Sequence, residues 1–525
     1  MLRKALLASL ALVALCGCDV EGRYDERFVI DSFARLESGL VVWFAEPDQE
    51  IVLVAPVAGG IDVRRLFVPQ DGERIVRLEV GPDPGAAQEL FVFTAPIDER
   101  EIEIVDSVVR IAPGSDAAPV PFELGARFGG MAFHPAGRFA ILYHPAADAD
   151  ESGGLFNQNE VAVLDLSREP AADNPRLLTI GMGGRSVEGV AFPGALTVAG
   201  GERDFVVFEA DGAVVLLDLL APASLPVTVK LKNDGDNRTI IPEQIVARPS
   251  DAAFDPMLIL RAPGAQEIFA VALVAQPSDA NGFVPSLNQF DSGTYEPTAM
   301  ALVEDDGHPL LVVVGAGTSR VTVIDVETAY TFSIELDGYV SALRENTNID
   351  GAQEVVMYGS SQWIYFLTVP DLAEEKGSNL EEVFIEDGVE TAWAFGDHRL
   401  LAVPYSGYGL TLIDLAAREV TRLTSDQAYS WDRSDAYGDM LFYAGAGDDR
   451  VISLDLASGH PEPLVLDEAV AEFEIFPSTV CGLVLHDTPS GRLTWFPLDD
   501  PSREKAKVFD GLWLRRMLDG KGVQP

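Results

Sequence analysis

The residue types that most often carry chemistry are sparse and scattered in this chain. Its six histidines (His134, His144, His308, His398, His460 and His486) stand alone, with no H-E-x-x-H and no close pair to share a zinc ion. No G-x-S-x-G stretch supplies a nucleophile elbow. Gly315-x-Gly317 and Gly445-x-Gly447 lack the third glycine and the following helix of a dinucleotide site, and read as hairpin turns. Cys16 and Cys18 lie together near the start, while Cys481 sits alone in the apolar run Ser478-Thr-Val-Cys-Gly-Leu-Val. A disulfide needs two cysteines and a metal cluster more, so Cys481 is expected to be a buried structural thiol. The densest local set of oxygen-bearing side chains is Asn346-Thr-Asn348-Ile-Asp350-Gly351-Ala-Gln-Glu354. No catalytic residue and no organic cofactor is assigned from these patterns.

Any site must be held by the elements around it, and those elements repeat. Gly315-Ala-Gly-Thr-Ser-Arg-Val-Thr-Val-Ile-Asp-Val326 and Gly445-Ala-Gly-Asp-Asp-Arg-Val-Ile-Ser-Leu-Asp-Leu456 share a glycine turn, a polar tip and an alternating strand ending in aspartate. The strand recurs as EVAVLDL (160–166), AVVLLDL (213–219) and GLTLIDL (409–415), which aligns Asp165, Asp218, Asp325, Asp414 and Asp455. Weaker copies lie at 50–56, 101–107, 267–273, 363–369 and 493–499. Ten copies roughly 40–60 residues apart, with period-two alternation and little helical periodicity, predict propeller blades. Each blade is a small antiparallel sheet that cannot cover both faces alone. Packing blades radially buries those faces and leaves only short edges. The recurrent aspartate is expected to close a turn through its side chain. The expected fold is therefore all-β, one ring of eight to ten four-stranded blades, with two smaller fused propellers as the alternative. The segment after Asp500 is expected to be a closing strand or a short helix.

The stretch GMAFHPAGRFAILYH (130–144) resembles the F-x-P-x-G-R strand-turn-strand of WD40-like, TolB-like and YVTN-type propellers. The resemblance implies that Pro135 and Gly137 make the turn, that Phe133 and Phe139 face the core, and that His134 has a turn role. It speaks to fold and not to function. Residues 346–354 are similar to the D-x-N-x-D-G-x-x-D calcium hairpin of FG-GAP and VCBS propeller repeats. That similarity implies side-chain ligands from Asn346, Asn348, Asp350 and Glu354 and a carbonyl ligand from Ala352. Gly351 would allow the sharp turn that gathers roughly six to eight oxygens around calcium. Asn346 stands where the family has Asp, which lowers the charge, and a plain hairpin turn is the competing reading.

The amino terminus has a different design. Met1-Leu2-Arg3-Lys4 precedes an apolar run from Ala5 to Leu15, the pattern of a secretory leader. Spanning a bilayer takes about 20 apolar residues, so this run is no anchor helix. Leu15-Cys16-Gly17-Cys18 resembles a bacterial lipobox, with Cys16 where Ala, Ser or Thr is usual. The resemblance implies cleavage before Cys18, acylation of Cys18 and loss of Cys16. An ordinary signal cut near the same place is the alternative. Acyl chains contribute roughly 0.8 kcal/mol per buried CH₂, so the two or three of a lipoprotein anchor stably where one would not. The expected organisation is a leader over 1–17, a lipidated tether over 18–32, a propeller over 33–515 and a tail over 516–525.

Lysine and arginine number 37 against 83 aspartates and glutamates, a net charge of −46, and no basic stretch offsets it. Such a chain repels nucleic acid and anionic headgroups. With 47% hydrophobic residues it is also too apolar to be disordered. The expected function is a lipid-anchored propeller of the bacterial cell envelope, on the periplasmic or surface side, that binds another envelope protein or assembly. One alternative is an envelope hydrolase or lactonase, with carboxylates and a histidine such as His144 converging at the central opening. The other is a glycan or polymer binder, marked by exposed aromatics in a groove.

Overall fold

Nine of the ten copies of the repeated apolar strand are third strands of four-stranded antiparallel meanders. The copy at 101–107 falls almost wholly outside the described residues, and the third strand there is Ser107–Ile111. The structure is a computed structural model. It describes residues 29–510 except 47–48, 58, 71, 83–87, 98–106, 115–116, 126–127, 147–156, 183–184, 200, 222–223, 233–236, 251–253, 306, 373–378, 395–397, 429–433, 445–448, 487 and 489–490. Cys16, Cys18 and the leader lie outside the described residues, as does the tail expected over 516–525.

Among the described residues the chain is all-β and forms ten propeller blades. They span 29–67, 73–123, 130–179, 189–230, 244–291, 297–335, 342–384, 389–428, 434–465 and 470–510, numbered 1 to 10 below. In each, sequential strands pair in the order first to fourth; blade 4 adds a short strand, Ala195–Val198, on its second strand. The first strand begins at Val29, inside the stretch expected as tether. After Asp500 the described residues hold one strand, Lys507–Asp510, which is the fourth strand of blade 10 and pairs with Arg492–Pro497.

The blades fall into two compact units. One holds blades 1, 2, 9 and 10 (residues 1–126 and 430–525), the other blades 3–8 (127–429). The first unit is built from both ends of the chain. Within each unit the alternation of the strands explains the packing, since successive side chains point to opposite faces. Val206 and Phe208 of blade 4 pack on Phe139, Ile141 and Val161 of blade 3, while Phe205 and Val207 pack on Leu258, Leu260 and Phe269 of blade 5. Leu311 and Val313 of blade 6 turn to blade 5, and Val312 and Val314 to blade 7. In the other unit Ile51 and Leu53 of blade 1 meet blade 2, and Val52 and Val54 meet Leu483 and Leu485 of blade 10.

The recurrent aspartates close turns as expected. Asp165 Oδ1 accepts the Ser167 N–H, Asp218 Oδ1 that of Leu220, and Asp325 Oδ1 those of Glu327 and Thr328. Asp414 and Asp455 do the same for the two residues following the next. In the blade 3 hairpin the Ala136 N–H donates to His134 Nδ1 at 3.1 Å, and Gly137 takes φ 68°. His134 also reaches across to Asp204 of blade 4 at 3.1 Å, a link the sequence does not announce. Phe139 is buried and Phe133 half-buried. Cys481 is fully buried at the start of a second strand, and burial pushes its thiol pKa up.

Candidate functional site

Several oxygens of the hairpin at 346–354 are engaged within the fold. Asn348 Oδ1 accepts the N–H groups of Asp350 and Ala352, and the Ala352 carbonyl accepts the Asn348 N–H at 2.9 Å. Glu354 is fully buried between strands and paired with Arg418 of blade 8 (Nη2–Oε2 2.5 Å, Nη1–Oε1 3.1 Å), while Asn346 Nδ2 donates to its Oε1. The Arg418 guanidinium lies 3.8 Å over the Phe366 ring, so this is a blade-to-blade tie. Asn346, Asn348, Ala352 and Glu354 thus make a turn and a tie, and Gly351 takes the φ of 82° the turn requires. Among the described residues no group of three or more His, Cys, Asp or Glu side chains could hold a metal ion.

The blades of the larger unit converge elsewhere. The start of each first strand pairs with the end of the second: Gly189 with Glu209, Gln244 with Arg261, Pro297 with Gly315, Ala342 with Tyr358, Val389 with Pro404. This leading edge therefore carries both the loop into the first strand and the hairpin between strands two and three. Polar links stitch it from blade to blade. Arg261 Nη1 donates to the Pro297 carbonyl at 3.0 Å, Gln244 Nε2 to that of Met300 at 2.8 Å, and Thr298 Oγ1 to that of Ser341 at 2.6 Å. The Val389 N–H reaches the Gly359 carbonyl at 2.7 Å.

On that stitched edge every loop into the first strand of blades 4–8 presents an exposed carboxylate: Glu188, Glu243, Glu296, Asp337 and Glu386. Glu243 pairs with Arg261 at 3.4 Å and Glu386 with Arg422 at 2.7 Å. Among the described residues Glu188, Glu296 and Asp337 have no ion-pair partner. Large exposed tyrosines share the edge: Tyr295 (79% exposed) and Tyr339 (55%) in loops before first strands, and Tyr405 and Tyr408 around the blade 8 hairpin. Carboxylates in all five loops, with aromatic faces beside them on blades 6–8, suit a cationic ligand, through ion pairs and cation–π contacts.

One carboxyl on this edge is set apart. Glu209 is 8% exposed at the end of the second strand of blade 4. A Cβ on Gly189 opposite would lie 2.1 Å from its Oε2, so only glycine leaves the carboxyl its place. Among the described residues no donor reaches it. Burial first, and the charge of Glu243 second, push its pKa up to about 7. The sequence offered one signal for it, an acid ending the apolar run FVVFEA, but not the register that sets it over Gly189.

His144 sits on the same edge of blade 3, with its ring stacked on Phe128 at 5.2 Å between centroids. On the opposite edge Arg248, Leu302, Glu304, Gly307 and Gln353 line a cavity of about 380 Å³. There Arg248 pairs with Glu327 at 2.5 Å, and Gln353 Oε1 accepts the Glu304 N–H.

No family model matches the chain, and no curated protein matches it. Among solved structures it is similar to the dihydro-heme d1 dehydrogenase NirN in complex with DHE, at 13% identity over 69% of this chain and 72% of that one, TM-score 0.38. It is also similar to Chaetomium thermophilum Sqt1, at 14% identity over 58% and 83%, TM-score 0.34. The β-propeller domain of Myceliophteria thermophila Swd1 gives 13% identity over 63% and 94%, TM-score 0.33. The assignment of the fold rests on the ten sheets themselves.

The raised carboxyl makes a prediction. A carboxyl whose folded pKa lies near 7, against 4.5 when free, binds its proton more tightly in the folded state. Its contribution is greatest below about pH 4.5 and is lost as pH rises through 7. Glu209→Gln should therefore match wild type near pH 4.5 in urea titrations and exceed it by up to about 3 kcal/mol above pH 8. A difference that stays constant with pH would mean that Glu209 ionises freely.

Proposed function

We propose that this protein is a lipid-anchored scaffold of the bacterial cell envelope, holding another envelope protein by a basic segment laid along the leading edge of blades 4–8. The observation that carries the reading is the exposed carboxylate in each of five consecutive loops, joined by exposed tyrosines on blades 6–8. Three of those acids lack an internal partner, so an incoming cation would meet charge that the fold has not spent. The overall charge of −46 adds long-range attraction for a basic partner and repulsion for nucleic acid.

The anchor rests on the leader and on Leu15-Cys16-Gly17-Cys18. The tyrosines would also stack on sugar rings, which favours a glycan as the second reading; the acid in every loop is what argues for a basic protein segment. A hydrolase would need a proton-transfer partner for Glu209. Of the candidates, Glu243 is paired with Arg261 and His144 stacks on Phe128.

Two outcomes follow. Affinity purification from cross-linked, detergent-solubilised envelopes should recover a partner with wild type. The same purification should lose it when Glu188→Gln, Glu296→Gln, Asp337→Asn and Glu386→Gln are combined. Equal recovery by both proteins would move the interface elsewhere. Cys18→Ser should release the protein to the soluble fraction with an unchanged circular dichroism spectrum. Persistence in the membrane after a high-salt wash would remove the lipid anchor from the account.

A further inference from the structure

The five-loop arc has one position unlike the others. At the junction of blades 4 and 5 a second, buried carboxyl, Glu209, joins the exposed Glu243. Strand alternation turns Glu209, like Phe205 and Val207, toward blade 5, whose first strand Glu243 leads into, and the charge of Glu243 acts on it. The backbone there is firmly tied: the Gly212 N–H donates to the Ile240 carbonyl at 2.7 Å, and Asp211 Oδ1 accepts the Ile240 N–H at 2.8 Å. Gly189 leaves the carboxyl its space. A buried acid with no donor among the described residues, next to a like charge, is a costly arrangement for folding alone. A cation brought from outside would satisfy Glu209 and share Glu243 with Arg261.

We propose that Glu209 and Glu243 form the anchor point for a single lysine or arginine side chain of the basic segment that the leading edge holds. The inference rests on the scaffold reading above and deepens it, since it names one deep contact among several shallow ones. Arginine suits it best, because a planar guanidinium can present separate N–H groups to two carboxylates.

Such an anchor is proton-linked. Glu209 must ionise to receive the cation, so binding releases a proton and strengthens as pH rises through about 7. The charged groups around it come from three elements. The loop before the first strand of blade 4 brings Glu188. The hairpin after Glu209 brings Asp211, which Lys232 holds at 2.8 Å while Arg185 acts on it from further away. Blade 5 brings Glu243 with Arg261. Asp211 is held low, against the cost of its burial, by hydrogen bonds from Lys232 and the Ile240 N–H, so it does not share the titration near 7.

The test is fluorescence titration of the full-length protein, in detergent at fixed ionic strength, with a short capped Gly-Arg repeat peptide at pH 6 and pH 8. If only the ionised anchor binds, affinity should be about tenfold higher at pH 8. Glu209→Gln should abolish that ratio and bind at both pH values about as weakly as wild type at pH 6. Glu188→Gln, on the same arc, should weaken binding by the same factor at both pH values and keep the ratio. Peptide binding with no pH dependence in wild type would overturn the anchor and leave the scaffold reading standing. No binding at either pH would overturn both. Displacement of the peptide by calcium with the same pH dependence would make the occupant an inorganic cation and overturn the proposal.

Discussion

Apolar packing between neighbouring sheets is the interaction on which the rest of this molecule depends. A four-stranded meander of about forty residues has two apolar faces and no core of its own. The middle strands of nearly every blade are buried on both sides, as in Leu310 to Val314 and Val321 to Ile324 of blade 6. Each such side chain contributes roughly 1.5–3 kcal/mol only when a neighbour covers it. The blades are therefore stable in company, and their alternating residues are divided strictly between the two neighbours.

Once the faces are spent on packing, polar chemistry can live only at the ends and rims of the sheets. Buried charges within the stack are tied across blades, as in Arg418 with Glu354 and Arg248 with Glu327. At the leading edge side chains stitch backbone to backbone, and the loops are free to vary. Among the described residues four of the five exposed tyrosines lie there, beside an acid in each loop of blades 4–8. Glu209 stands at the boundary between the two regimes, inside the apolar stack by burial and at the rim by position.

This division also explains what could be read from the sequence. The third strand of each blade is apolar, alternating and closed by an aspartate whose side chain serves a local turn, so Asp165, Asp218, Asp325, Asp414 and Asp455 were visible from spacing alone. So was the buried thiol of Cys481, from its apolar surroundings. Distant partners stayed hidden where spacing was all there was: Asn346 to Glu354 has the oxygens of a calcium loop, and Arg418, sixty-four residues on, pairs with Glu354. The first blade begins at Val29, inside the stretch expected as tether over 18–32. The leading-edge arc was not legible at all. Its residues are tens of positions apart in loops of different composition, and only strand register brings Glu188, Glu296 and Asp337 to the same edge of successive sheets.

The most direct measurement of the central claim is site-specific photo-cross-linking in intact cells from two exposed positions on the same blade. Tyr339 lies on the leading edge of blade 7, and Ile349 on its opposite edge, in the hairpin between Ala342–Thr347 and Gln353–Tyr358. The account predicts a discrete protein adduct from a cross-linker at 339 and none from one at 349. An adduct from 349 alone would contradict it.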